Sequence, residues 1–225
     1  MDAAALKQSK TVRGSKTRPK KYQLRREEAL DAAAAVFADL GYYGANTSMI
    51  AERIGIRQGS LYYYFTSKEA ALEEVCAKGV ADFIEGLEEI CAAAGPVEDR
   101  VRAAITNHLK PIIDRPDYVK TFIRQRQFLP DTSRKRIGRQ VRRYERLLGG
   151  LFRSGVDIGT FASDLNCELT ALRMITECNG VFSWYGRRAH GLSIQEIAAE
   201  IAARFLAGVR ARDSQETENE TPWKR

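Results

Sequence analysis

Histidine is almost missing from this chain: only His108 and His190 occur in 225 residues. Two isolated imidazoles argue against histidine-based acid–base chemistry and against a His-rich metal site. Cysteine is sparse as well. Cys76, Cys91, Cys167 and Cys178 never stand two or three residues apart. That spacing suits neither a zinc site nor a disulfide frame, so they read as small buried hydrophobes in a reducing compartment. No run of about 18 apolar residues exists, so no segment is expected to span a membrane. The N-terminus is basic with no apolar stretch behind it, unlike a secretory signal, and a cytoplasmic location is expected. Glycine-rich phosphate loops, G-x-S-x-G and H-E-x-x-H are all absent. We therefore expect no catalytic residues, no metal and no cofactor. Strand-like alternation of useful length is lacking too, and no internal repeat shows, which leaves an all-α fold.

Hydrophobic residues make up 44% of the chain, enough for the packed core of one large or two modest domains. The net charge of +7 is unevenly spread. Residues 1–21 hold Lys7, Lys10, Arg13, Lys16, Arg18, Lys20 and Lys21 against Asp2 alone. This stretch has no apolar period and reads as a disordered basic arm. Next to DNA such an arm neutralises phosphates and releases counterions; away from DNA it only aids solubility. Contact is expected for Arg18, Lys20 and Lys21, which adjoin the first helix. Residues 67–119 are acidic on balance, whereas 120–153 hold eleven Lys/Arg against Asp131 and Glu145.

Between Thr47 and Lys68 runs TSMIAERIGIRQGSLYYYFTSK, read as two short helices and a turn. Ile50, Ala51 and Ile54 form an apolar face on the first; Gly55 breaks it, and Ile56 anchors the turn. The second is expected over Gln58 to Phe65, with Leu61 and Phe65 facing inward. Its other side carries Arg57, Gln58, Ser60, Tyr62 and Tyr63, the donors, acceptors and flat rings that suit a helix in a major groove. A plain helical hairpin with half-buried tyrosines is the competing reading.

The run Leu61-Tyr62-Tyr63-Tyr64-Phe65, followed by Ser67-Lys68-Glu69, resembles the end of the recognition helix in the TetR family of regulators, over about residues 22–75. The resemblance implies a three-helix domain bearing the helix-turn-helix, with a larger helical ligand-binding and dimerisation domain behind it. It implies phosphate contacts from Thr47 and Lys68. Gln58, Ser60 and Tyr63 are then candidates for base edges, with Arg57 beside them, and Tyr62 and Tyr64 for phosphates. The domains are expected as arm 1–21, helix-turn-helix 22–66, ligand and dimer domain 67–210, and flexible tail 211–225.

The first helix is expected from about Gln23 to Leu40, with Leu30, Ala33, Ala34, Phe37 and Ala38 as its stripe, and Thr47 as cap of the next. Thr66 and Glu69 suggest a capping box for a helix from Ser67 to Ala94. Further helices are expected over Val97–Ile113, Asp117–Phe128, Arg134–Arg153, Ser163–Arg188 and Ser193–Val209, with 154–161 as a loop or short two-stranded turn. Ser163–Arg188 is apolar on more than one face, so the last two helices suit a homodimer through them.

The basic stretch including Arg124, Arg126, Arg139 and Arg143, with Trp184-Tyr185 further on, loosely resembles an acyl-CoA-responsive subgroup of that family. A CoA thioester would offer phosphates to the arginines and an acyl chain to an apolar cavity. Candidate lining residues are Phe122, Arg126, Phe128, Arg139, Arg143, Tyr144, Phe152, Trp184 and Tyr185; the plain reading, which suits them better, is core for the aromatics and a solvated face for the arginines. The expected function is a repressor that holds a palindromic double-stranded operator as a dimer and is released by a small molecule. A sequence-indifferent architectural DNA protein and an enzyme acting on a CoA thioester are the alternatives.

Overall fold

The computed structural model describes residues 20–186 and 191–211, so Arg18 and most of the basic arm lie outside it. The described residues form ten α-helices and one 3-10 turn. In order they are α1 Lys20–Gly44, α2 Thr47–Arg53, α3 Gln58–Leu61, α4 Lys68–Ala92, α5 Val97–Leu109, α6 Pro111–Asp114 and α7 Pro116–Gln125. The 3-10 turn Arg126–Phe128 follows, then α8 Asp131–Asp157, α9 Cys167–Trp184 and α10 Ile194–Val209. The fold is all-α, and among the described residues the sole β-type pairing is one antiparallel bridge between Phe161 and Arg210.

α1 carries the N-terminal lobe. Its alanines and Phe37 are buried on nearly every side from Ala29 to Ala38, because α2, α4 and α7 all pack against it. Small side chains permit three neighbours at close range. Lys20 and Lys21, expected in the arm, stand instead on its exposed first turn. α4 links the two lobes with a stripe of Leu72, Val75, Cys76, Val80, Ile84 and Leu87. In the second lobe α5, α8, α9 and α10 close around Ile105, Leu148, Phe152, Met174 and Phe205.

Several expected boundaries move, each for a local reason. α2 is capped by Asn46, whose side chain accepts from the Met49 N–H at 2.9 Å, so Thr47 is left free for other bonds. α4 is capped by Ser67, not by a Thr66–Glu69 box. Glu69 turns instead to the Tyr42 hydroxyl, which pushes that phenol up to about 12 and holds the carboxylate below its usual range. α8 runs on to Asp157 because Gly155 lets Phe161 lie against it; a Cβ there would sit 2.1 Å from that ring. α9 begins at Cys167 behind an Asn166 cap, later than expected. A complete capping box does occur, at Ser193 and Glu196 of α10.

Charge is answered across the lobes. Arg136 pairs with Glu73, Arg143 with Glu88, and Arg26 with Glu74. The acidic stretch and the basic stretch seen in the sequence are thus partly two sides of one contact between α4 and α8.

Candidate nucleic-acid interface and effector cleft

The turn between α2 and α3 is set by Gly55, whose φ of 67° is one that L side chains seldom adopt. The Ala51 carbonyl accepts from both Ile54 and Ile56, so the chain folds back within four residues. α3 then makes one turn, and after Leu61 the hydrogen bonds tighten: Tyr63 N–H to Ser60 at 3.2 Å and Tyr64 N–H to Leu61 at 2.8 Å. The regular helix is therefore shorter than the expected span to Phe65. Leu61 and Phe65 are each 1% exposed, while Tyr63 is 75% exposed. Arg57, Gln58 and Ser60 share that outer surface with Tyr62.

Gln58 and Thr47 are joined, with the Gln58 amide donating to the Thr47 hydroxyl at 2.8 Å. Lys68 does not reach freely outward. Its ammonium donates to the carbonyls of Tyr42 at 2.9 Å and Ala45 at 3.1 Å and lies 4.2 Å from the Tyr42 ring centre. Tyr64 is half-buried, its ring 5.7 Å from that of Tyr22, which also meets Tyr63 edge-on at 5.6 Å. Tyr22 thus buttresses the recognition turn from α1. Sequence reading missed it, although extending the Leu30 stripe back by eight residues lands on it.

A cleft of about 420 Å³ opens between α6, α7 and the far half of α9. Ile112, Pro116, Val119, Ile123 and Phe182 make its apolar wall; Lys120 and Arg124 stand one turn apart on α7; Asn179 and Tyr185 face it from the α9 side. Of the candidate ligand residues, only Tyr185 lines this space. Tyr144 lies beneath it, 6% exposed, and Trp184 is half-buried against the core. Phe122 supports the Arg126 guanidinium at 4.9 Å, and Arg126 borders a separate hollow with Arg134 and Arg142. Phe128 turns away to stack on Tyr42 at 5.4 Å. Phe152 is fully buried between Phe161 and Phe205, remote in the packing from the cleft. Arg139 is exposed on α8 and Arg143 is held by Glu88. Of the cations that do meet the cleft, Arg124 stood among the named residues of the basic stretch, while Lys120 carried only its place in that stretch and its i, i+4 spacing from Arg124.

The opposite side of α7 belongs to the N-terminal lobe. The Tyr118 hydroxyl donates to Asp31 at 2.7 Å, the Thr121 hydroxyl to the Ala34 carbonyl at 3.0 Å, and the Gln125 side chain accepts from the Tyr42 N–H at 3.0 Å. One ten-residue helix therefore touches the cleft with one face and α1 with the other.

Beneath the cleft His108 is fully buried, which pushes its imidazole down to about 4. Its Nδ1 lies 2.9 Å from the Tyr144 hydroxyl and its Nε2 3.2 Å from the Asn179 Oδ1. Among the described residues no group of three or more His, Cys, Asp or Glu is placed to hold a metal ion, and no helix is long and apolar enough to cross a membrane.

Two family models match the chain: "Bacterial regulatory proteins, tetR family" over residues 29–75 and "Tetracyclin repressor-like, C-terminal domain" over residues 94–209. The HTH-type transcriptional repressor KstR2 of Rhodococcus jostii is 28% identical over 187 residues, covering 82% of this chain and 91% of the relative. The fatty acid metabolism regulator protein of Bacillus subtilis is 28% identical over 153 residues, covering 68% and 76%. The solved structure of the Bacillus subtilis regulator FadR in complex with stearoyl-CoA superposes with a TM-score of 0.70 at 19% identity, covering 82% of this chain and 99% of that one.

Proposed function

The chain belongs to the TetR family of bacterial regulatory proteins, and on that footing we propose that it is a homodimeric repressor that lets go of a palindromic operator when a small molecule binds. The observation that carries this reading is the outward surface of α3. Arg57, Gln58, Ser60 and Tyr63 present hydrogen-bonding groups to solvent while Leu61 and Phe65 seal the lobe behind them. That division lets a short helix enter a major groove without unfolding its own support. Gln58, Ser60, Tyr63 and Arg57 read base edges. Thr47, Tyr62, Lys20, Lys21 and the preceding Arg18 take phosphates. Tyr64 and Lys68 sit deeper; they brace the turn and offer phosphate the hydrogens their internal bonds leave over.

Dimerisation uses the solvent faces of α9 and α10. Leu169 and Leu172 are exposed on α9, and Ala199, Ala203 and Ala207 line one side of α10. Two such helix pairs bury each other in a four-helix contact related by a two-fold axis. Half-sites roughly 34–36 Å apart then receive both recognition helices.

The effector occupies the cleft between α7 and α9, and its class is a CoA thioester. Lys120 and Arg124 suit phosphate oxygens and the apolar wall suits an acyl chain; the stearoyl-CoA carried by the Bacillus regulator supports the choice. Because α7 is bonded to α1 through Tyr118, Thr121 and Gln125, a ligand that moves α7 also moves the recognition helices. We read the protein as a binding protein and not an enzyme.

Selection of bound sites from random DNA at moderate salt, beside sedimentation of the free protein, tests the reading. A dimer and a mirrored site with half-sites one helical turn apart are expected. A monomer that enriches no mirrored sequence overturns it, and even coverage of any DNA would establish the architectural alternative.

A further inference from the structure

Resting on the effector cleft proposed above, we infer that Asn179 is the specificity-determining residue of that cleft, donating its side-chain amide to a carbonyl oxygen of the effector, and that Tyr144 and His108 are the residues that aim it. The three side chains come from α8, α5 and α9 and form one hydrogen-bonded row. His108 is enclosed by the rings of Phe83 at 5.1 Å, Tyr144 at 5.6 Å and Phe182 at 6.1 Å. In that setting the imidazole stays neutral and owns a single N–H.

The direction of the row follows from counting hydrogens. If Nδ1 carried the proton, the buried Tyr144 hydroxyl would have no acceptor among the described residues, a costly arrangement. With the proton on Nε2, Tyr144 donates to Nδ1 and Nε2 donates to the Asn179 Oδ1, so every buried hydrogen is used. Asn179 then has its oxygen fixed inward. Its Nδ2 hydrogens have no partner among the described residues and belong to a side chain that lines the cleft. Folding alone does not call for this row, since apolar side chains of similar volume would fill the space without burying the polar groups of His108 and Tyr144. A fixed amide donor above an apolar floor selects for an acceptor oxygen, because a ligand lacking one leaves the amide dry and unbonded. Lys120 and Arg124 on the same cleft add a preference for an anionic end. The chemical class is an amphipathic anion with a carbonyl along its body, which a thioester carbonyl and a ketone both satisfy.

Calorimetric titration of the full-length protein with two matched pairs tests this. One pair is palmitoyl-CoA and its thioether hexadecyl-CoA, which lacks the thioester carbonyl; the other is 12-oxo-octadecanoic acid and octadecanoic acid, which lacks the mid-chain ketone. The wild type should favour the carbonyl member of at least one pair by about tenfold. Asn179→Leu, with Asn179→Ala as a smaller replacement, should abolish that ratio, by weakening the member that carries the extra carbonyl and relieving the other member of an unbonded amide. Tyr144→Phe should reduce the ratio in part, since it removes one hydroxyl and leaves the amide present but less firmly aimed. A folded Asn179 variant that keeps the wild-type ratio overturns the inference, as does a wild type that binds both members of each pair equally, although the CoA reading then survives. Preference within the acid pair, with neither CoA ligand bound, supports the inference and removes the CoA reading. A wild type that binds no member of either pair removes both.

Discussion

The proposed DNA-facing surface and the proposed effector cleft are built in opposite ways. The first lies within Thr47 to Lys68, where every candidate DNA-binding residue except those of the arm falls inside one short stretch. The second gathers Ile112, Lys120, Arg124, Asn179 and Tyr185 from helices far apart in the chain, over a buried row that reaches back to His108. A surface made by one supersecondary unit inherits its geometry from local spacing. A cleft made between units inherits it from packing, so its residues carry no mutual signature. The two regions meet through α4, α7 and the 3-10 turn that carries Phe128, and the sharpest tests separate what each can lose alone.

The largest effect is expected at Phe65. Its ring is 1% exposed, and Phe65→Ala should cost about 3–5 kcal/mol of stability and abolish operator binding with it. Tyr63→Ala, two residues earlier, should leave the melting temperature nearly unchanged and still weaken the operator complex. Thermal unfolding beside fluorescence anisotropy distinguishes them; equal losses of stability would erase the division between support and reading surface.

Next comes the contrast inside the reading surface. Gln58→Ala should relax preference at one base position by roughly 1–3 kcal/mol. Replacing Lys20 and Lys21 together by alanine should weaken all sequences alike and flatten the salt slope by roughly 2, since each neutralised phosphate contributes about 0.9. Competition binding over a salt series reports both.

Acid should strike the second region. His108 is neutral when folded, with its pKa pushed down to about 4 by burial. Between the ordinary histidine range near 6.5 and that value the unfolded chain binds the extra proton, so stability falls as the pH falls through this window. From pH 6.5 to 5 the loss should be roughly 1–2 kcal/mol. Chemical denaturation over this range, compared with His108→Gln, checks it; identical slopes would remove the histidine as the cause.

The smallest effect belongs to the joint. Gln125→Ala deletes the acceptor for the Tyr42 N–H and should cost roughly 0.5–1.5 kcal/mol. Operator affinity without effector should stay within about threefold, while the shift caused by effector shrinks. A variant with full effector response would place the coupling elsewhere, along α4.

Much of the N-terminal lobe was legible because its determinants are neighbours. Leu30, Ala33, Ala34 and Phe37 recur at helical spacing, Gly55 marks the turn, and all of them take the expected places. Caps were less legible: Asn46, Thr47, Thr66 and Ser67 are all competent to cap, and which one bonds depends on a φ/ψ choice made by the neighbouring turn. The ligand domain was legible as helices and not as a site. Phe128 and Phe152 look alike in sequence, yet one stacks between the lobes and the other fills the far core. Arg136 and Arg143 likewise look free until α4 brings Glu73 and Glu88 to them.

Local spacing determined that this chain is helical and which side of α3 faces outward, and the resemblance carried by residues 61–69 turned a helical hairpin into a helix-turn-helix. Those outcomes rest on neighbours three and four residues apart, which the order of residues states directly. Tertiary packing alone decided that Lys120 and Arg124 are the cations at the cleft, that Lys68 is tied to the α1–α2 turn, and that His108 is joined to Asn179. Those depend on where long helices cross, and crossing is set by the fit of whole surfaces that no short stretch contains.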